Sequence, residues 1–217
     1  MRNFLVIGLG KFGFTVAKTL YELGQNVTAM DMDEVVIQKI RDFSNQAING
    51  DASMMDNLTG IGKENVDVAV VSLGEKMDAS VLVTLHLKEL GIKEIWVKAI
   101  SEDHGKILKK LGVSEVIHVE KEMGERVAHN LSRPNVLDYL PVSKGYSIQE
   151  SPVPKSFTGK SLLELALRKK YGIFVIAVKE LIPERMVVNP EAKFVLKDSD
   201  IMVILGKDED LDRLRNM

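Results

Sequence analysis

Short apolar runs alternate with amphipathic segments of helical length from the N-terminus to about Ser132. FLVIG predicts a strand, and the helix after it, from about Lys11 to Leu23, stops at Gly24. NVTAMD reads as the next strand and Asp33–Phe43 as the next helix. QAING follows as a short strand, with a brief helix over Met54–Thr59. VDVAVVSL is apolar almost throughout, as a strand buried on both faces of a parallel sheet must be. A helix over Asp78–Leu90 ends at Gly91, and KEIWVKAI, Glu102–Leu111 and SEVIHV complete the series. Six βα-type repeats predict a Rossmann-like, doubly wound α/β fold.

The rhythm changes after a helix over Glu120–Leu131. Two prolines punctuate SRPNVLDYLPVSKG, and strand-like runs separated by turns follow: YSIQESPVP, GIFVIAV, ERMVVNP and KFVLKDSDIMVILG. A short helix is expected near Ser161–Leu167, and Lys207 to Met217 reads as a charged tail. These features predict a nucleotide-binding domain over 1–133, a linker over 134–145 and a small α+β domain over 146–217.

The first strand runs into Gly8, Gly10 and Gly13, spaced GxGxxG between a strand and a helix. Gly8 suits the tight turn, Gly10 a close approach of backbone to phosphate, and Gly13 the packing of helix on strand. The helix start then offers free N–H groups and the positive end of its dipole to an anion. The second strand ends in Asp31, eighteen residues beyond Gly13, where a carboxylate accepts hydrogen bonds from ribose hydroxyls. Phe12, Met32 and Ala52 lie in the same turns. Asp51, after the third strand, is either a ligand contact or the cap of the next helix. Ser72, Leu73 and Gly74 end the fourth strand and form part of an adenine or ribose wall. Lys98 ends the fifth strand and either reaches phosphate or lies on the surface.

Lys11 discriminates among ligands. A cation in the first turn of a helix opposes the dipole at a cost of a few tenths of a kcal/mol, roughly, unless an anion binds there. That favours a phosphate-rich ligand, ATP or ADP, over NAD or NADH; the alternative is a side chain turned into water.

Composition removes other classes. A net charge of −2 without a Lys/Arg tract leaves no footprint for nucleic acid. The lack of cysteine excludes disulfides, thiol catalysis and cysteine-based metal sites. No window approaches the roughly 20 apolar residues of a membrane span, and no signal-peptide pattern opens the chain. The expectation is a cytoplasmic protein without direct membrane insertion. HExxH, GxxxxGK[ST] and GxSxG are absent, and none of the histidines (86, 104, 118 and 129) falls after Pro134. A nicotinamide dehydrogenase would need an acid–base group there. No enzyme is expected; an NAD(H)-binding regulator or a small NAD-linked oxidoreductase is the alternative.

FLVIGLGKFG, VTAMDMDEVVI, SLGEKMDASVLVTLHLKELGIKEIWVKA and LKKLGVSEVIHVEKEMGERVA together resemble the regulator-of-conductance-of-potassium family, Ktr or Trk type. SLLELALRKKYGIFVIAV and DIMVILG resemble its C-terminal subdomain. The resemblance implies a cytoplasmic regulatory subunit forming a ring, typically an octamer of paired dimers, docked on a membrane potassium-translocating subunit. It implies ATP or ADP in the N-terminal domain, with Asp31 on the ribose, Lys11 on phosphate and Lys98 assisting. The family often has arginine at the Lys11 position, so bidentate phosphate contact is weaker here. Glu120 matches a glutamate that helps bind Mg²⁺, Ca²⁺ or Na⁺ near the phosphates; from the residues alone it is a carboxylate suited to a helix start. Some members bind cyclic di-AMP in the C-terminal subdomain, and no residue here decides that.

Overall fold

The computed structural model describes residues 1–74, 76–132 and 138–214, with only the backbone of Asp138 and Tyr139. The chain divides into two compact units, Met1–Glu120 and Lys121–Met217.

The first unit is built from β1 (Asn3–Ile7), α1 (Lys11–Glu22), β2 (Asn26–Asp31), α2 (Glu34–Ile40), β3 (Gln46–Asn49), α3 (Met55–Thr59), β4 (Val68–Val71), α4 (Met77–Glu89), β5 (Glu94–Lys98), α5 (Glu102–Lys110) and β6 (Glu115–Ile117). The strands form one sheet of order β3-β2-β1-β4-β5-β6, and every pairing is parallel. Both faces are covered, which explains why β4 is buried at every position. Val6, Ala17, Val27, Ala29, Ile37 and Ile40 form the core under α1 and α2. Leu5, Ile7, Val71, Val83, Leu87 and Leu108 form the opposite one, under α4 and α5. Local polar residues cap two of the helices, α2 and α5: Asp33 accepts from the Val35 N–H, and Ser101 from the His104 N–H at 3.1 Å.

Gly8 has φ +83°, and a Cβ there would sit 2.3 Å from the Ser72 carbonyl oxygen. At Gly13 a Cβ would meet the Gly8 carbonyl at 1.9 Å, so only glycine lets α1 lie this close to the end of β1.

The second unit contains the remainder of α6 (Val119–Ser132), followed by β7 (Asp138–Ser143), β8 (Tyr146–Pro152), α7 (Leu162–Leu165), α8 (Leu167–Tyr171), β9 (Phe174–Leu181), β10 (Glu184–Val188), β11 (Ile201–Lys207) and α9 (Asp208–Leu214). Its sheet is antiparallel, in the order β10-β9-β11-β8-β7. Ile173, Val178, Leu196, Met202 and Ile204 fill its core.

Three expectations change here. Positions 138–143 of the expected linker form β7, an edge strand, where Pro141 costs no interior ladder bond; positions 134–137 lie outside the described residues. The expected helix near Ser161–Leu167 is two short helices, because Ala166 adopts a left-handed conformation with φ 46°. The charged tail contains α9, which buries Leu211 and Leu214 against the sheet.

Candidate functional site

The carboxyl ends of β1 to β5 open into a cavity of about 540 Å³. It lies where the strand order reverses between β1 and β4, the position at which open α/β sheets bind ligands. Gly8, Gly10, Lys11 and Phe12 line it from the first turn, and Asp31 and Met32 from the second. Asp51 and Ala52 contribute after β3, Ser72, Leu73 and Gly74 after β4, and Lys98 and Glu120 from further along. Gly13 is not in the lining; it is the packing contact behind the loop.

Gly10 caps α1 with no side-chain hydrogen bond, and a Cβ on it would meet nothing within 4 Å. The N–H groups of the first turn are therefore not screened by a local acceptor side chain. Asp31 has a second task that sequence did not reveal. Its Oδ2 accepts from the Leu9 N–H at 2.5 Å and its Oδ1 from the Asp33 N–H at 2.9 Å, so the carboxylate holds the glycine loop. Each oxygen keeps a lone pair that these bonds do not use.

Asp51 is not the cap of α3, which begins after Met54. Its Oδ1 accepts from the Ser53 N–H at 2.8 Å and the Ser53 hydroxyl at 2.7 Å. These two bonds, with a smaller contribution from the charge of Lys76, hold its carboxyl below the usual carboxylate range. Lys98 is no surface lysine: its side chain is 15% exposed, and its ammonium donates to Glu120 at 2.6 Å. That bond, with a backbone N–H, lowers the Glu120 carboxyl. Among the described residues, no group of three or more His, Asp or Glu side chains could hold a metal.

Sequence reasoning missed Gly50, Ser53, Lys76 and Ala79, which also line the cavity. The signal for Lys76 was present: it begins a helix after a sheet strand, as Lys11 does. No histidine lines the cavity. His104 is fully buried, and burial, then the neighbouring His118, lowers its pKa. It is a packing residue.

A second cavity of about 410 Å³ lies in the C-terminal unit, between the α7–α8 segment, β9 and the turn at Asn189, with Arg168 and Lys169 at its edge.

The model of the TrkA-N domain matches residues 4–119, and that of the TrkA-C domain residues 148–217. The chain is 39% identical to Ktr system potassium uptake protein C of Bacillus subtilis, across 98% of this chain and 95% of that one. The chain belongs to the Ktr/Trk family of potassium uptake proteins. Within that family, Ktr system potassium uptake protein A of the same organism is 36% identical, over 99% of this chain and 96% of its own. Among solved structures, the GsuK channel bound to NAD shares the fold, with a TM-score of 0.54 at 18% identity. That match takes in 100% of this chain and 38% of the channel's, so the chain spans less than half the channel's length. Among the described residues no helix is long and apolar enough to cross a membrane.

Proposed function

We propose that this protein is a cytoplasmic regulatory subunit of a potassium uptake system, binding ATP or ADP in the N-terminal cavity and carrying out no reaction of its own. The observation that carries this is a Gly8–Gly13 loop with Asp31 and Lys11 around one cavity, in a chain 39% identical to a Ktr potassium uptake protein. A volume of about 540 Å³ suits a ligand of nucleotide size. Asp31 takes the ribose, and the α1 N-terminus and Lys11 take phosphate. The Lys11 ammonium forms no hydrogen bond or ion pair among the described residues, so no internal partner must be displaced.

The protein assembles as a ring, an octamer of paired dimers, on a membrane potassium-translocating partner. Nucleotide gates that partner by population shift: it moves the ring only as far as its affinities for two shapes differ. Where Mg²⁺, Ca²⁺ or Na⁺ accompanies the phosphates, Glu120 is its protein ligand; one ionised carboxylate plus phosphate oxygens is a sufficient donor set for Mg²⁺. The second cavity, edged by Arg168 and Lys169, suits an anionic cyclic dinucleotide such as cyclic di-AMP.

Calorimetry with ATP, ADP, NADH and cyclic di-AMP, with the particle mass from light scattering, tests the scheme. ATP or ADP binding more tightly than NADH, to an octamer, is expected. The second reading, an NAD(H)-binding regulator, draws on the GsuK channel described as bound to NAD. Tighter binding of NADH than of ATP would replace the first reading with it.

A further inference from the structure

We propose that Lys76 is a specificity-determining residue of the N-terminal cavity, whose ammonium takes a phosphate of the bound nucleotide from the side opposite Lys11. This role rests on the nucleotide reading above.

β1 and β4 are neighbours at the centre of the sheet, and the chain leaves them for helices on opposite faces. The N-termini of α1 and α4 therefore border the cavity from its two sides. Both ends carry a lysine. Lys11 is the first residue of α1 and Lys76 the N-cap of α4, and neither helix has a side-chain cap, although α4 alone has an acidic residue, Asp78, in its first turn. A cation at a helix start opposes the dipole and is disfavoured unless an anion lies there. Here that arrangement occurs twice around one cavity.

The third cation in the lining differs. Lys98 is neutralised by Glu120 at 2.6 Å. The ammonium groups of Lys11 and Lys76 form no hydrogen bond or ion pair among the described residues. The charge of Lys76 also makes a small contribution to lowering the carboxyl of Asp51, which lines the same cavity. Asp51 already binds Ser53 through its Oδ1, and no ion pair joins it to Lys76 among the described residues. A phosphate brings more negative charge and more acceptor oxygens, and charge-assisted hydrogen bonds to it are the stronger kind. The ammonium then exchanges the field of Asp51 for a phosphate oxygen when nucleotide enters. Adenosine, without phosphate, gains nothing from the exchange.

The test measures binding of ATP, ADP and adenosine to the full chain as wild type, Lys76→Met and Lys76→Arg, at low and moderate salt. Lys76→Met is expected to weaken ATP about two- to fivefold, the effect of one exposed charge pair. Adenosine should stay within about twofold, Lys76→Arg should restore the preference for ATP, and added salt should shrink the difference. Equal losses for ATP and adenosine would mean that Lys76 only shapes the turn, and would overturn the proposal. An unchanged ratio in a protein that binds nucleotide would overturn it too, leaving the nucleotide reading intact. Failure of the wild type to bind ATP, ADP or adenosine would overturn the nucleotide reading and this role with it.

Discussion

In the C-terminal unit the Glu180 side chain is 2% exposed and is closed off by Lys197 at 2.6 Å and by Arg185. In the N-terminal unit Lys11 and Lys76 find no such partner and face a cavity instead. Both units bring charge into demanding places, and they resolve it differently. A buried carboxylate must be neutralised within the fold, because desolvating it alone is costly. A cation at a helix start is tolerated without a protein partner only because water reaches it, and it gains when an anion arrives. The first arrangement serves structure. The second is what a ligand site looks like before the ligand.

The largest effect should come from the backbone contact that builds the site. Gly13→Ala puts a Cβ 1.9 Å from the Gly8 carbonyl oxygen and should cost about 3 kcal/mol or more. Hydrogen exchange followed by mass spectrometry should show protection lost across residues 1–120 before residues 146–214 change. Loss in both regions together would mean that the units do not separate energetically.

Next in size, Lys11→Ala should weaken ATP about two- to fivefold while stability stays within about 0.5 kcal/mol. Thermal unfolding without ligand, beside calorimetry with it, checks both. A large loss of stability would place Lys11 with Glu180, as a residue serving the fold.

The smallest effect concerns acid. Hydrogen bonds from Lys197, then Arg185, lower the Glu180 carboxyl from its ordinary value of 4.5. A carboxyl lowered in the folded state contributes stability above its unfolded value, and that stability is lost as pH falls through the folded one. Acid unfolding of the C-terminal unit should therefore steepen below about pH 4.5, and Glu180→Gln should flatten the dependence while lowering stability at neutral pH. An unchanged acid profile in the variant would remove Glu180 from the comparison.

Most of the first unit was legible, because a parallel sheet covered on both faces writes its strands as apolar runs and its turns as glycines. Gly8 and Asp31 could be named for the same reason: turn geometry and strand ends restrict residue type. The failures have physical causes. β7 contains Pro141, which reads as a linker until its edge position is known. Ala166 takes a left-handed conformation with nothing in its residue type to announce it. In α9, acidic residues hide Leu211 and Leu214, whose spacing of three places both against the core. The bond from the Leu9 N–H to Asp31 joins residues twenty-two apart and exists only once β1 and β2 pair. Lys76 was a different kind of miss: it stands one position earlier in its helix than Lys11 does, with Asp78 in the turn that follows, so the dipole argument marks it less sharply.

The most direct test of the central claim is the affinity of the wild-type protein for adenosine, AMP, ADP and ATP, measured by calorimetry at one low salt concentration. If Lys11, Lys76 and the α1 N-terminus await phosphate, affinity should rise from adenosine to the di- and triphosphate, and the rise should fade as salt increases. Adenosine binding as tightly as ATP would contradict it.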